Sequence, residues 1–74
     1  MDWRSHITSD PNICHGKPCI KGTRVMVSTI LDNLANDIDK EVILKNYPSI
    51  TDKDILAAIQ YAADIANERI IEFA

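Results

Sequence analysis

No apolar run in this 74-residue chain approaches the roughly 20 residues that a membrane-crossing helix requires, which excludes a helical membrane span. Met1-Asp2-Trp3-Arg4 begins polar and has no apolar stretch behind it, so a secretory leader is not expected and a cytoplasmic location is. There is no internal repeat, low-complexity segment or Gly/Ser linker, and residues 1–74 are therefore expected to form a single domain. With only two cysteines, in a reducing compartment, a Cys14–Cys19 disulfide is not expected. A chain this short buries only about 60% of the surface its unfolded form exposes, so some added staple is anticipated: a disulfide, a metal or a partner chain.

Glycine is as scarce as cysteine, and all four of these residues fall between Cys14 and Gly22, in the run Cys14-His15-Gly16-Lys17-Pro18-Cys19-Ile20-Lys21-Gly22-Thr23-Arg24. The overall charge of −3 argues against a protein that coats nucleic acid by charge alone, but the charge is uneven. Residues 1–26 carry Arg4, Lys17, Lys21 and Arg24 against Asp2 and Asp10, a net +2. Residues 27–74 carry Lys40, Lys45, Lys53 and Arg69 against nine acids, a net −5. A phosphate-binding surface should thus involve the N-terminal part.

Pro11 and Pro18 deny backbone donors and fix φ, while Gly16 and Gly22 permit the positive φ of tight turns. Alternation of Ile20, Val25 and Val27 with polar neighbours predicts two short strands, Pro18-Cys19-Ile20 and Thr23 to Val27, around a Lys21-Gly22 turn. An isolated hairpin is marginal in water, so this one must pack on helices or pair with a second chain.

Beyond it, Val27, Ile30, Leu31, Leu34 and Ala35 recur with helical period and predict a helix over 28–35, with Ser28 as a cap and Asn36-Asp37 closing it, Asn in the left-handed position. Asp39 is placed to cap a second helix to about Asn46, its carboxylate accepting backbone N–H groups and Ile38 stapling to Ile43. Tyr47-Pro48-Ser49-Ile50 breaks it. Thr51 and Asp54 then form a shortened capping box for a third helix, with an Ile50–Ile55 staple. Its apolar stripe is Ile55, Ile59, Ala62, Ala66, Ile70 and Phe73. A second stripe, Leu56, Ala63 and Ile70, widens that face beyond what one small core needs, making the surplus toward Ile70, Ile71 and Phe73 a candidate partner surface.

Cys14, His15 and Cys19 offer ligand types that suit zinc, but only His6 remains to complete four, and neither a Cys-x2-Cys nor a His-x3-His pair is present; no metal or cofactor is expected. A Cys nucleophile with a His base lacks an orienting group and an oxyanion site. Asp52 with Asp54 and Asp64 with Glu68 sit at cap or solvent positions, where helix-dipole complementarity accounts for them. Gly16-Lys17-Pro18 fails as a phosphate loop because Pro18 stands where the hydroxyl should be. The chain is therefore expected not to be an enzyme. Helix two, a turn and helix three have helix-turn-helix spacing, in which Lys53 reaches a phosphate and Gln60 an adenine, although Asp52 and Asp54 repel phosphates. A plain three-helix scaffold for protein contact fits the same residue types.

The run Ser9-Asp10-Pro11-Asn12-Ile13, then Gly16-Lys17-Pro18 with Ile20, then Gly22-Thr23-Arg24 with Val27, together with Tyr47-Pro48, Ile50-Thr51, Asp54-Ile55 and Ala57-Ala58, resembles the small prokaryotic family catalogued as domain of unknown function 433, over about residues 7–68. The resemblance implies a mainly α, trihelical, helix-turn-helix-like (homeodomain-like) domain preceded by a short β-hairpin arm, with 1–27 as the arm and 28–74 as the helices. It also implies a homodimer that acts as the antitoxin half of a type II toxin-antitoxin pair, beside a toxin similar to the PIN-type ribonucleases. This chain departs from the commoner family pattern at Cys14-His15 and at Asn36-Asp37, where glycine often occurs. The leading expectation is a non-enzymatic binding module that neutralises a PIN-like toxin through Ile70, Ile71 and Phe73 and contacts operator DNA as a dimer through Lys17, Lys21, Arg24, Lys53 and Gln60. The alternatives are a protein-interaction domain with no nucleic-acid role, whose acidic helices mask a basic ribonuclease surface, and a small metal-stabilised domain.

Overall fold

The computed structural model describes residues 2–68. Ile70, Ile71 and Phe73, the expected partner contacts, lie outside the described residues. Three helices, α1 (Val27–Ala35), α2 (Lys40–Asn46) and α3 (Asp52–Glu68), follow a two-stranded antiparallel sheet of β1 (Ile7–Thr8) and β2 (Cys19–Ile20), with short 3-10 turns at Trp3–Ser5 and Cys14–Gly16. The chain is thus a mainly helical, trihelical domain with an N-terminal β arm, in the helix-turn-helix order the spacing predicts.

The strands of the arm differ from the expected pair. The register is Ile7 opposite Ile20 and Thr8 opposite Cys19, so the partner of β2 comes from upstream of the loop rather than from Thr23 to Val27. On the downstream side only the bridge of Cys19 to Met26 survives. Thr23 explains this: its N–H closes the Lys21-Gly22 turn on the Ile20 carbonyl at 3.0 Å, its hydroxyl donates to the same carbonyl at 2.8 Å, and that hydroxyl accepts from the Val25 N–H at 3.0 Å. A side chain that satisfies backbone groups locally competes with a strand ladder. Gly22, at φ +80°, supplies the left-handed residue that a type II turn needs.

The return segment runs directly into α1, one residue earlier than predicted. Met26, not Ser28, is the N-cap; Ser28 lies inside the helix, and the Met26 carbonyl accepts from Thr29 and Ile30. The Val27 N–H donates to the Pro18 carbonyl at 3.0 Å, which ties the start of α1 to the arm. At the other end the left-handed residue is Asp37 (φ +60°) rather than Asn36. The Ile38 N–H reaches the Asn33 carbonyl and the Asp37 N–H the Leu34 carbonyl, the paired bonds of a Schellman motif. Asn36 instead places its side-chain amide on the Asp32 carbonyl. Asp39 caps α2 in conformation, but its carboxylate accepts no backbone bond, contrary to expectation; the Asp39 carbonyl takes Val42 and Ile43. The capping box of α3 forms as expected: the Thr51 N–H donates to Asp54 Oδ2 at 2.9 Å and the Asp54 N–H to Thr51 Oγ1 at 3.4 Å.

One core joins all of these elements. Ile7 and Ile20 from the arm, Val27 and Ile30 from α1, Ile43 from α2, Ile50 from the turn, and Ile55, Ala57 and Ala58 from α3 are buried together. Ile38 packs against this cluster, as the α2 staple requires. The α3 stripe is corrected: Ile59 and Ala66, expected to point inward, face solvent, Ile59 being 44% exposed. Tyr61 turns inward in that part of the helix and meets Trp3 edge to face at 5.0 Å. α3 is apolar around more than half of its circumference, so its period alone does not select which edge is buried.

Candidate functional site

Two surfaces carry chemistry: the loop of the arm and the outer face of α3. The loop is built from turns. Asp10 accepts the Asn12 N–H on its carboxylate at 2.8 Å and the Ile13 N–H on its carbonyl at 2.9 Å, an arrangement typical of Asp at a turn's first position. Cys14 (φ +53°), His15 (φ +56°) and Gly16 (φ +79°) then follow in left-handed conformation. For an L-residue with a Cβ this costs about 1 kcal/mol or more, so Cys14 and His15 store strain. The Ser9 hydroxyl bonds the Gly16 carbonyl, and the Lys17 N–H bonds the Cys14 carbonyl at 3.1 Å. The two non-glycine departures singled out in the sequence, Cys14-His15 and Asn36-Asp37, are thus the sites of the left-handed non-glycine residues.

Lys17, Lys21 and Arg24 are exposed on this loop, and none is ion-paired among the described residues. Lys17 borders a shallow depression with Pro18, Val27, Ser28, Leu31 and Tyr61. Lys53 is exposed in the first turn of α3, in a second depression with Lys40, Asp52, Leu56 and Ile59, where Lys40 Nζ pairs with Asp52 at 3.3 Å. Gln60 is half-buried in a third depression beside Asp2, Trp3, Arg4 and Asp64, with its Oε1 buried and without a hydrogen-bond partner among the described residues. The five expected DNA contacts therefore divide into three cations on the arm and two residues in separate depressions along α3.

The metal alternative finds no support in the geometry. Among the described residues no group of three or more His, Cys, Asp and Glu side chains could hold a metal ion. His15 is exposed, while His6 is drawn away to α3, its Nδ1 lying 2.9 Å from Asp54 Oδ1. Cys14 and Cys19 are free thiols. Burial, and then the adjacent Cys14 thiol, push the Cys19 thiol pKa above its ordinary range.

The outer face of α3 presents Leu56 (46% exposed), Ile59, Ala63 and Ala66, spaced by three, four and three residues. Asp52 and Asn67 lie on the same exposed side, and Val42 of α2 is 44% exposed as well. In sequence the spacing continues at Ile70 and Phe73. Val42, Leu56 and Ile59 are the large apolar side chains exposed among the described residues. Sequence reading missed a tie between the N-terminus and α3: Trp3 Nε1 donates to Asp64, and His6 binds Asp54, clamping the first residues onto α3. These are contacts between residues 61 and 48 positions apart, and no local pattern announces them.

The geometry defines a small helical domain whose N-terminal arm is bound into the same core and whose exposed chemistry is divided between arm cations and an apolar helix face. The chain belongs to the family described as Protein of unknown function (DUF433), whose model matches residues 7–62. It is similar to the crystal structure of a DUF433 member protein from Anabaena variabilis, with 28% identity and a TM-score of 0.76 over 85% of this chain. The chain spans 62% of that protein's length. None of the curated proteins compared with the chain matches it.

Proposed function

We propose that the chain is a non-enzymatic, antitoxin-like binding module that neutralises a PIN-like ribonuclease by seating an apolar segment of it on the outer face of α3. The observation that carries this reading is the solvent-facing row of Leu56, Ile59, Ala63 and Ala66. Charge supports the choice of partner: the helical part of the sequence is net acidic, which suits a basic protein, and Asp52, paired to Lys40, is the exposed acid on the same side as the row. Ile70, Ile71 and Phe73, the partner contacts expected from the sequence, lie outside the described residues. Expressing the full chain with the product of its neighbouring gene and measuring complex formation tests it. Leu56→Lys with Ile59→Lys is expected to weaken the complex at least about tenfold and to restore ribonuclease activity. Undiminished affinity in that double variant would sink the reading.

A second element, operator DNA contacted by a homodimer, is favoured by the exposed Lys17, Lys21 and Arg24, none of them ion-paired among the described residues. With the apolar row turned to protein, phosphate contact falls to these arm cations, with Lys53 and Gln60 nearer the groove. Gel-shift titration against the chain's own promoter, at rising salt, reads this. Binding should fall steeply with salt because phosphate contacts release counterions, and Arg24→Ala should weaken it. Absence of any shift at low salt removes the nucleic-acid half and leaves a protein-interaction domain.

A further inference from the structure

Cys14 and Cys19 have no part in either proposed surface, yet the arm sets them side by side. The Cys14 thiol is near enough to contribute, after burial, to the raised pKa of Cys19. Both donate to the return segment, Cys14 Sγ to the Arg24 carbonyl at 3.3 Å and Cys19 Sγ to the adjacent Thr23 carbonyl at 3.7 Å, so the two sulfurs are held against the same two-residue stretch. Cys14 is half-buried at the rim, whereas Cys19 is completely enclosed in β2.

We propose that Cys14 and Cys19 form a redox-active dithiol, which closes reversibly to an intrachain disulfide by exchange with a low-molecular-weight disulfide such as oxidised glutathione. Access dictates the order of events. Cys14, as thiolate, attacks one sulfur of the small disulfide, forming a mixed disulfide and expelling one small thiolate, which takes up the proton Cys14 released. Cys19 then gives up its proton and attacks the Cys14 sulfur, expelling the second small thiolate, which takes up that proton. In net terms two protein thiols are oxidised to one disulfide while the small disulfide is reduced to two thiols. Burial and the neighbouring thiol keep Cys19 protonated, so it resolves the mixed disulfide and does not initiate it. The reduced pair is the resting state in a reducing compartment. Closure ties the left-handed turn Cys14-His15-Gly16 to β2 and constrains Lys17 between the two sulfurs, leaving α1, α2 and α3 untouched.

Intact-mass analysis of the folded full chain in glutathione buffers of rising oxidising strength tests the proposal. The expected product is lighter by two hydrogen atoms, returns to the starting mass on reduction, and outnumbers the mixed disulfide by roughly tenfold or more. Cys19→Ala should stop at the mixed disulfide. Because that site is enclosed and the variant could unfold, Cys14→Ser at the rim supplies the second reading: it leaves Cys19 shielded and should take up no glutathione. Accumulation of mixed disulfide without closure, disulfide-linked dimers, an unmodified chain, or a closed fraction no greater than that of the chain unfolded in urea would each overturn the proposal.

Discussion

The arm and the helices are held by different forces. From Val27 to Glu68 the chain is organised by apolar side chains recurring with helical period, with caps and staples setting the ends. From Asp2 to Met26 only Ile7, Cys19 and Ile20 are buried, and the path is set by turns: the Asp10 carboxylate, the Thr23 hydroxyl and three successive left-handed residues. The two regions nevertheless share one core, because Ile7 and Ile20 pack with Ile30 and Ile43. An arm built this way is an integral layer of the domain rather than a flexible appendage. The helices supply a scaffold with an apolar outer face, and the arm supplies cations and thiols on a backbone that stores strain.

The sharpest test of that contrast is to compare Ile20→Ala in the arm with Ile43→Ala in α2. Both side chains are fully enclosed, and each substitution should cost about 3 kcal/mol in denaturant unfolding. Against a total of about 4–11 kcal/mol for a chain of this length, either loss is severe. If Ile20→Ala cost far less than Ile43→Ala, the arm would have to be redrawn as loosely attached.

Asp54 is the joint between the regions, since one carboxylate oxygen caps α3 through Thr51 and the other binds His6 of the arm. Asp54→Ala is expected to destabilise by about 1–2 kcal/mol. His6→Ala should cost less, because the cap remains. Equal losses would mean that the tie to the arm, not the cap, is the main role of Asp54.

Asp37→Gly removes a left-handed penalty at the end of α1 and should stabilise the chain by about 0.5–1 kcal/mol, read as a shift of the thermal midpoint. No change there would show that the Schellman geometry relieves the Asp37 strain in another way. The smallest effect is expected on the outer face: Leu56→Lys should leave stability within about 0.5 kcal/mol, because its side chain is already substantially exposed. A large loss of stability on that change would place Leu56 in the core.

Legibility in the sequence follows the same division. α1, α2 and the start of α3 could be placed to within a residue or so, since period, Asp39, Thr51 and Pro48 are local signals. The α3 capping box and the two staples were equally readable. The pairing of β1 with β2 was not, because Ile7 and Thr8 form too short a run to stand out and the Thr23 side-chain bonds that interrupt the expected hairpin depend on a folded turn. Of the candidate site, the exposure of Lys17, Lys21, Arg24 and Lys53 was legible from residue type. The half-burial of Gln60 beside Trp3 and Asp64 was hidden, since it depends on the N-terminal turn docking 57 positions away from it in sequence.

The sequence by itself determined α1, α2 and the start of α3 to within a residue, the concentration of basic residues in the arm, the family motif, and an apolar surplus on α3, because each of these is a property of neighbours along the chain. The tertiary structure decided which strand pairs with β2, which edge of α3 faces water, that His6 belongs with Asp54 rather than with the cysteines, and that both cysteine sulfurs bond the Thr23-Arg24 stretch. Those outcomes depend on contacts between distant segments competing for one small core, and period or composition within a single segment carries no record of who wins that competition.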